Sequence, residues 1–350
     1  MDPNMEKFSE SERKMAMKKT LSIILSMVLM LSLLFQSIPA LAEEATFPQT
    51  VTDAAGREVT LDQAPEKIVS GYYIATSMLI ALGIEDHLVG IEAKANSRLI
   101  YALAAPQLLD LPSVGTAKQF DLEGALTLEP DLVVLPLKLS DTAQILEEMG
   151  VKVVLVNPES WDELLDTARL LSIATGTSAD LLLDWYTKAQ EKLETILEGK
   201  DTPSVYLAGN SSYLSTAGSK MYQDTLLTMG GGVNVASSLP DAYWAEISYE
   251  QLLAWNPDVI IVASDAGYTV DDLLADAQLQ SLNAVQNGQV FAMPSSPEAF
   301  DSPVPGAILG SLWMTSTLHS DVYSREAFYA DAHDFYETFY QVEVTEDTLN

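Results

Sequence analysis

The fold is decided by a stretch that occurs twice, as Asp121-Leu-Glu-Gly-Ala-Leu-Thr-Leu-Glu-Pro-Asp-Leu-Val-Val-Leu135 and as Ser248-Tyr-Glu-Gln-Leu-Leu-Ala-Trp-Asn-Pro-Asp-Val-Ile-Ile-Val262. Each copy has a glutamate two positions after its polar first residue, and then a short helical segment that ends before a Pro-Asp pair. A wholly apolar run follows the pair. A strand of this kind, entered from a helix, is typical of a parallel sheet covered on both faces. The duplication therefore predicts two similar α/β lobes.

A long helical tract separates the two copies. It consists of residues 161–175 and 178–197, with Gly176 between them. In the second segment Leu181, Trp185, Ala189 and Leu193 recur every four residues and predict one apolar face. Because no flexible Gly/Ser linker interrupts the tract, we expect it to brace the two lobes rigidly.

The predicted fold class is therefore α/β, with two Rossmann-like lobes, a ligand cleft between them and one long rigid helix joining them. Four segments follow from this organisation, a signal peptide, an N-terminal lobe, connecting helices and a C-terminal lobe. Their predicted boundaries are residues 1–42, 48–157, 158–200 and 203–345.

The first residues have the pattern of an export signal. Lys14, Lys18 and Lys19 precede an uncharged apolar run, and Pro39-Ala-Leu-Ala42 then supplies a small-x-small motif. This pattern predicts export to the periplasm or the cell surface, with cleavage after Ala42. A natural start at Met17 makes the residues before it an upstream extension. The alternative is an uncleaved membrane anchor, for which the apolar run is short.

Composition excludes several functions. The chain has 350 residues, no cysteine and a formal net charge of −32. The missing cysteines exclude disulfides, thiolate metal sites and thioether-linked lipids. An acidic surface repels phosphate backbones, so nucleic acid is a poor partner.

Ligand contacts are expected on the loops that follow the strands, because open α/β sheets bind ligands beyond the carboxyl ends of their strands. Arg98 is the strongest candidate, since its planar fork can hold a carboxylate or a chelate oxygen. Four cations on first-lobe loops predict a positive pocket for an anionic ligand, and aromatic side chains suit a large, partly apolar one. The candidates are Tyr72, Tyr73, Lys94, Arg98, Lys118, Lys138, Tyr213, Trp244, Tyr268 and Phe300.

The repeated stretch, in order with five further segments, resembles the substrate-binding proteins of ABC importers. The further segments are Lys67-Ile-Val-Ser70, the turn from Leu82-Gly-Ile84 to Leu88-Val-Gly90, Leu171-Ser-Ile-Ala-Thr-Gly176, Met229-Gly-Gly-Gly-Val-Asn-Val235 and Asp301-Ser-Pro-Val-Pro305. More narrowly, the chain is similar to the group with one long helix between its lobes, which handles ferric siderophores, haem and cobalamin. The resemblance covers residues 48 to 340.

The resemblance implies a monomer that binds a small metal chelate, foremost a ferric siderophore, and delivers it to an ABC permease dimer. It also implies that Glu123 and Glu250 dock onto permease arginines. One carboxylate in each lobe suits a two-fold partner, because arginine binds carboxylates bidentately. The alternative is that both glutamates only favour the first turn of a helix. No resident cofactor is implied.

Other ligands and another class of protein remain open at this stage. Cobalamin binding, or haem ligation by Tyr72, Tyr73 or Met221, fits the same fold. A bare metal ion is disfavoured because His87, His319 and His333 form no predicted cluster. A secreted hydrolase could use the carboxylates of Asp121, Asp265 and Glu246, although the chain has neither a G-x-S-x-G nor an H-E-x-x-H motif.

Overall fold

A computed structural model describes residues 46–240 and 244–349, all of them in one compact unit. The predicted signal peptide and its cleavage after Ala42 lie outside the described residues. In the part that is described, no helix is long and apolar enough to cross a lipid bilayer.

Fourteen strands are described. They are β1 (Gln49–Thr52), β2 (Glu58–Leu61), β3 (Ile68–Ser70), β4 (Leu88–Ile91), β5 (Gly115–Thr116), β6 (Gln119–Phe120), β7 (Leu132–Pro136), β8 (Lys152–Val156), β9 (Ser204–Ala208), β10 (Ser215–Thr216), β11 (Val233–Asn234), β12 (Ala245–Glu246), β13 (Val259–Val262) and β14 (Val290–Ala292).

Twelve α-helices accompany them in the described chain. They are α1 (Tyr73–Ala81), α2 (Leu99–Ala104), α3 (Leu122–Thr127), α4 (Ser140–Glu148), α5 (Trp161–Thr175), α6 (Asp180–Leu197), α7 (Tyr222–Met229), α8 (Tyr249–Trp255), α9 (Val270–Ala275), α10 (Asn283–Gln286), α11 (Ala307–Leu318) and α12 (Arg325–Tyr340).

Two four-stranded parallel sheets form the centres of the two lobes. Their strand orders are β4-β3-β7-β8 and β11-β9-β13-β14. In each sheet the strand that follows the Pro-Asp pair lies third, beside the strand of that sheet that comes first in the chain, and all residues of β7 and β13 are buried. The α/β fold with two similar lobes, predicted from the duplication, is confirmed. The exact domain boundaries stay a prediction.

The two repeat copies make matching local contacts. Asp121 Oδ1 and Ser248 Oγ accept hydrogen bonds from backbone N–H groups three residues on, at 2.9 and 3.2 Å, and so cap α3 and α8. The Asp131 carboxylate accepts from the backbone N–H of Lys67 at 3.0 Å, and that of Asp258 accepts from Ser204 at 2.9 Å. In each lobe, the aspartate thereby ties the third strand to the start of the first.

The connecting tract consists of α5 and α6, joined where Gly176 adopts a left-handed φ of 76°. The Trp161 ring on α5 lies 5.2 Å from that of Tyr186 on α6. The buried face of α6 differs from the predicted one. Leu181 is 63% exposed, and the buried side chains are Leu182, Tyr186, Ala189 and Leu193. The four-residue spacing identified the helix, but an α-helix completes a turn about every 3.6 residues, so its buried side chains alternate between spacings of four and three.

A buried aspartate fastens the β1–β2 hairpin to the first-lobe sheet. The Asp53 carboxylate accepts from the backbone N–H of Leu155 in β8 at 3.1 Å and from that of Ala55 at 2.9 Å. It also pairs with the Arg57 guanidinium at 2.5 Å, and Arg57 reaches Glu147 on α4 at 3.0 Å. The aspartate side chain is fully buried, so its charge depends on these partners.

We expect Asp53→Ala to lower the free energy of unfolding by about 3 kcal/mol, because it leaves a partly buried guanidinium and three backbone donors, those of Ala55, Arg57 and Leu155, without their acceptor. Urea unfolding checks this loss. Asp62→Ala is the control, since Asp62 is 82% exposed and only 3.9 Å from Lys152, and its effect should stay within about 0.5 kcal/mol. A similar effect for both variants would contradict the expectation.

Candidate functional site

A cleft of about 530 Å³ lies between the two lobes. Its lining comes from segments that follow the carboxyl ends of parallel strands, namely β3 and β4 in the first lobe and β9, β13 and β14 in the second. This is the edge at which open α/β sheets bind ligands. The polar and ionisable lining residues are Tyr73, Ser77, Ser97, Arg98, Asn210, Asp265, Ser295, Ser296, Glu298 and Ser302.

Arg98 stands at the first-lobe wall at the start of α2. Its guanidinium carbon lies 4.0 Å from the ring centroid of Tyr73, and its Nε lies 3.4 Å from Oε1 of Glu92. Glu92 is itself held by the hydroxyls of Thr76 at 2.6 Å and Tyr101 at 2.8 Å. Burial raises the pKa of the Glu92 carboxyl. The stacked ring and the carboxyl fix the guanidinium plane, while the side chain stays 30% exposed at the cleft.

Glu298 lines the cleft and contacts two helices, α12 and α1. Its carboxylate accepts from the Tyr340 hydroxyl of α12 at 3.2 Å and from Ser77 of α1, and the side chain is almost fully buried. Burial raises the pKa of this carboxyl to about 7, against the hydrogen bonds that lower it. The group therefore gains or loses its charge close to neutral pH.

We expect the free energy of unfolding to fall as the pH rises from 5 to 8, because folded Glu298 holds a proton that the unfolded chain releases near its usual pKa of 4.5. The full shift corresponds to about 3 kcal/mol. Glu298→Gln keeps an uncharged hydrogen-bonding side chain and should remove this part of the fall.

Urea unfolding at pH 5 and pH 8 measures this fall in the free energy of unfolding. Glu246→Gln, at an exposed position, is the control. Asp301 is also buried, with its pKa raised to about 7, so the variant should keep a smaller pH dependence. An unchanged fall in Glu298→Gln would show that another group carries it.

The second-lobe wall presents an acidic side chain on a strained backbone. Asp265 follows β13, is exposed to the cleft and has a φ of 55°, in the left-handed region that costs energy for a non-glycine residue. Asp301 lies behind it, buried, and accepts from the backbone N–H of Ser264 at 3.1 Å. Burial raises the pKa of the Asp301 carboxyl to about 7, and the charge of Asp265 adds to this rise.

Of the predicted ligand contacts, Tyr73 and Arg98 line the cleft, and their part in binding stays a prediction. Tyr72 packs at the edge of the hydrophobic core beside them. Lys94, Lys118 and Lys138 are exposed and lie outside the lining of the cleft. The expected positive pocket is therefore corrected, because the part of the chain that the structure describes lines the cleft with one cation, Arg98, and two acidic side chains, Asp265 and Glu298.

The predicted second-lobe aromatics group together behind the cleft wall. The Tyr213 and Tyr268 rings are 5.4 Å apart, and the Tyr268 hydroxyl donates to the Gly209 carbonyl at 2.7 Å. Trp244 covers Gly209 so closely that a Cβ there would lie 2.8 Å from its ring. These three aromatic residues lie outside the lining of the cleft, so a direct ligand contact for them stays a prediction.

The structure contradicts the predicted ligand contact of Phe300. Its side chain is fully buried, packs against Phe328 with ring centroids 6.0 Å apart, and belongs to the main hydrophobic core. It follows β14 as expected, but the loop turns its ring inward, where no ligand in the cleft can touch it. The loop contributes its serines and Glu298 instead.

No ligand contact was predicted from the sequence for Asn210, Glu298 or the serines of residues 295–302. The signal that could have found them is their position, directly after β9 and β14. Asp265 was considered only as a catalytic group. It is the one member of the proposed hydrolase set that lines the cleft, since Asp121 caps α3 and Glu246 lies in β12.

The histidines are scattered. Among the described residues no group of three or more His, Cys, Asp or Glu could hold a metal ion. His319 is buried with Nε2 3.1 Å from the Gly231 carbonyl, and His333 lies 3.5 Å from Glu337. Of the proposed haem ligands, Tyr73 lines the cleft, whereas Tyr72 and Met221 pack against the core.

Glu123 and Glu250 are both exposed and occupy matching positions, two residues after the capping residues of α3 and α8. Hydrogen bonds from its own backbone N–H and from Ser248 lower the pKa of Glu250. An exposed carboxylate side chain on each lobe suits an interaction with arginines.

A family model described as periplasmic binding protein matches residues 68–297, from β3 through β14 to the cleft loop. The chain belongs to the periplasmic binding protein family. The proteins of this family that it resembles are substrate-binding proteins of ABC importers, not enzymes, so the hydrolase alternative is excluded.

As a periplasmic binding protein, the chain is similar to proteins with different ligands. The molybdate-binding protein MolA of Haemophilus influenzae is 22% identical over 89% of this chain and 96% of its own length. The vitamin B12-binding protein of Salmonella choleraesuis is 30% identical over 61% of this chain and 74% of its own. An ABC transporter substrate-binding lipoprotein of Bacillus subtilis, YvrC, is 23% identical over 79% of this chain and 87% of its own.

Solved structures agree on the fold of this periplasmic binding protein. A periplasmic solute binding protein of Veillonella parvula superposes with a TM-score of 0.75 at 23% identity, over 86% of this chain and 96% of that one. The Ni-His complex of CeuE from Helicobacter pylori superposes with a TM-score of 0.73 at 19% identity, over 85% and 97%.

Proposed function

We propose that this protein captures a metal chelate, foremost a ferric siderophore, in the cleft between its lobes and delivers it to an ABC import permease. The observation that carries the proposal is the cleft itself, a polar space of about 530 Å³ with the guanidinium of Arg98 stacked on Tyr73 at its wall. Arginine and tyrosine donors suit the carboxylate, hydroxamate or catecholate oxygens that surround a chelated metal.

Size supports a chelate of intermediate dimensions. Pockets of roughly 300 to 1,000 Å³ enclose ligands of drug size. A tetrahedral oxyanion such as the ligand of MolA would leave most of this cleft to water, and a corrinoid would extend far beyond it. Cobalamin is the second candidate, because the vitamin B12-binding protein of Salmonella choleraesuis is 30% identical to this chain.

Delivery rests on the two exposed glutamates. In our proposal Glu123 and Glu250 bind arginine forks on the two halves of the permease, one from each lobe of a monomeric binding protein. Residues 1–42 direct export and are cleaved after Ala42, which leaves the protein outside the cytoplasm, where cargo first arrives.

Titration of tryptophan fluorescence tests the cargo, with ferrioxamine B, haemin, cyanocobalamin and molybdate as ligands. Saturable binding of the ferric chelate, tighter than that of the other three, is the expected result. Mass spectrometry of the material that copurifies with the exported protein is an independent readout. Preferred binding of cyanocobalamin would identify cobalamin, and not a siderophore, as the cargo. Preferred binding of molybdate would exclude both the siderophore and cobalamin.

A further inference from the structure

Two opposite charges face the cleft from opposite lobes. Arg98 lies on the first-lobe wall and Asp265 on the second-lobe wall. The two do not form a salt bridge with each other, and within residues 46–240 and 244–349 neither side chain makes a hydrogen bond. Charged groups left without hydrogen bonds at a binding cleft are available to a ligand.

The surroundings keep the two ends electrically different. Arg98 has the aromatic face of Tyr73 and the buried Glu92 behind it, which hold the guanidinium but leave its outer donors free. Asp265 has Asp301 and Asn210 as neighbours, and among the described residues no lysine or arginine lines that side of the cleft. The first-lobe end therefore attracts acceptor oxygens, whereas the second-lobe end attracts a cation.

The backbone that carries Asp265 is held in an uncommon conformation. A left-handed φ of 55° is costly for aspartate, and the turn is held by Asn210, whose carbonyl accepts from the Gly267 backbone at 2.9 Å and whose amide donates to the Ser264 carbonyl at 3.4 Å. Asn210 also lines the cleft, so the residue that holds the Asp265 turn is itself part of the second-lobe wall.

We propose that the cargo is two-ended, with acceptor oxygens that bind Arg98 and an ammonium or similar cation that binds Asp265. This inference rests on the proposed function and narrows it from chelates in general to those that carry a cationic group. Asp265 is the specificity-determining residue for that group. The expectation of an anionic ligand, based on a positive pocket, is replaced by this one.

Ferrioxamine B tests the proposal, because it joins a ferric trihydroxamate to a terminal ammonium, and acetylation removes the charge without changing the chelate. Isothermal titration calorimetry of the full exported protein should give a dissociation constant at least about tenfold lower for ferrioxamine B than for its acetylated form. At about 0.15 M salt the Debye length is about 8 Å, so the distant acidic surface contributes little.

Asp265→Asn should reduce this preference to less than about threefold, since asparagine tolerates the left-handed backbone and loses only the charge. Asp271→Asn is the matched control. It makes the same charge change at an exposed position on α9, outside the lining of the cleft, and should keep the full preference. Circular dichroism and thermal melting confirm that both variants fold.

The outcomes separate the inference from the function on which it rests. Equal binding of the two chelates, or a preference that survives Asp265→Asn, overturns the two-ended cargo and leaves a siderophore-binding protein. If neither chelate binds, a hydroxamate siderophore is not the cargo, and the proposed role of Asp265 fails with it. A preference lost equally in Asp271→Asn assigns it to general surface charge and also overturns the inference.

Discussion

Uptake of cargo is expected to fall at least about a hundredfold when Glu123 and Glu250 are both replaced by alanine, while the affinity for cargo in solution stays unchanged. Both side chains are exposed on the first turns of α3 and α8, away from the residues that line the cleft. Each would lose a bidentate, charge-assisted contact with a permease arginine. Transport into proteoliposomes that contain the cognate permease measures the first quantity, and calorimetry measures the second.

The single variants should show intermediate losses, because each lobe contributes one contact. Glu191→Ala with Glu194→Ala is the matched control, since it removes two exposed glutamates from α6 and changes the net charge equally. That control should transport normally. Full transport by the Glu123/Glu250 double variant would reject the docking role, and loss of cargo binding in it would assign these glutamates to a different task.

Arg98→Ala is expected to weaken cargo binding by about 100-fold, or about 3 kcal/mol, because it removes the one cation that lines the cleft in the described structure. Arg98→Lys should recover only part of the loss, since an ammonium keeps the charge but neither the planar fork nor the stacking on Tyr73. Fluorescence titration with ferrioxamine B provides the affinities.

Loss of folding must be separated from loss of binding in this series. Arg98→Ala leaves the buried Glu92 without its cation, but Thr76 and Tyr101 still donate to that carboxyl, which can also take up a proton. Melting temperatures should therefore change little. Lys118→Ala, an exposed cation outside the cleft lining, should bind as the wild type does. Equal losses for Lys118→Ala and Arg98→Ala would contradict a local role for the arginine.

The sequence predicted much of the architecture because the physics that sets it is local and repeated. The Pro-Asp pairs mark the ends of short helices, and the apolar runs after them become buried central strands in both lobes. Tyr73 and Arg98 could be found for a related reason, since they follow the carboxyl ends of β3 and β4. Position along a strand–loop–helix pattern was sufficient for these residues.

The sequence did not predict as well which way individual side chains point. The predicted face of α6 was wrong for Leu181, because a single helix does not specify which neighbours will cover it. Phe300 lies on the expected loop, but competition between the core and the cleft for an aromatic ring is decided by the packing of α12 against that loop. The same holds for the four predicted loop cations, Lys94, Arg98, Lys118 and Lys138. All four follow first-lobe strands, but only the side chain of Arg98 lines the cleft.

The sequence by itself thus determined a duplicated α/β protein with parallel sheets, a helical connection and a ligand edge, because hydrophobic period, capping residues and prolines act within a few residues of where they stand. Only the tertiary structure decided the charge of the cleft. It brought Asp265 and Glu298 from distant loops to face Arg98, and such long-range juxtaposition depends on how the two sheets are placed relative to each other, which no local pattern encodes.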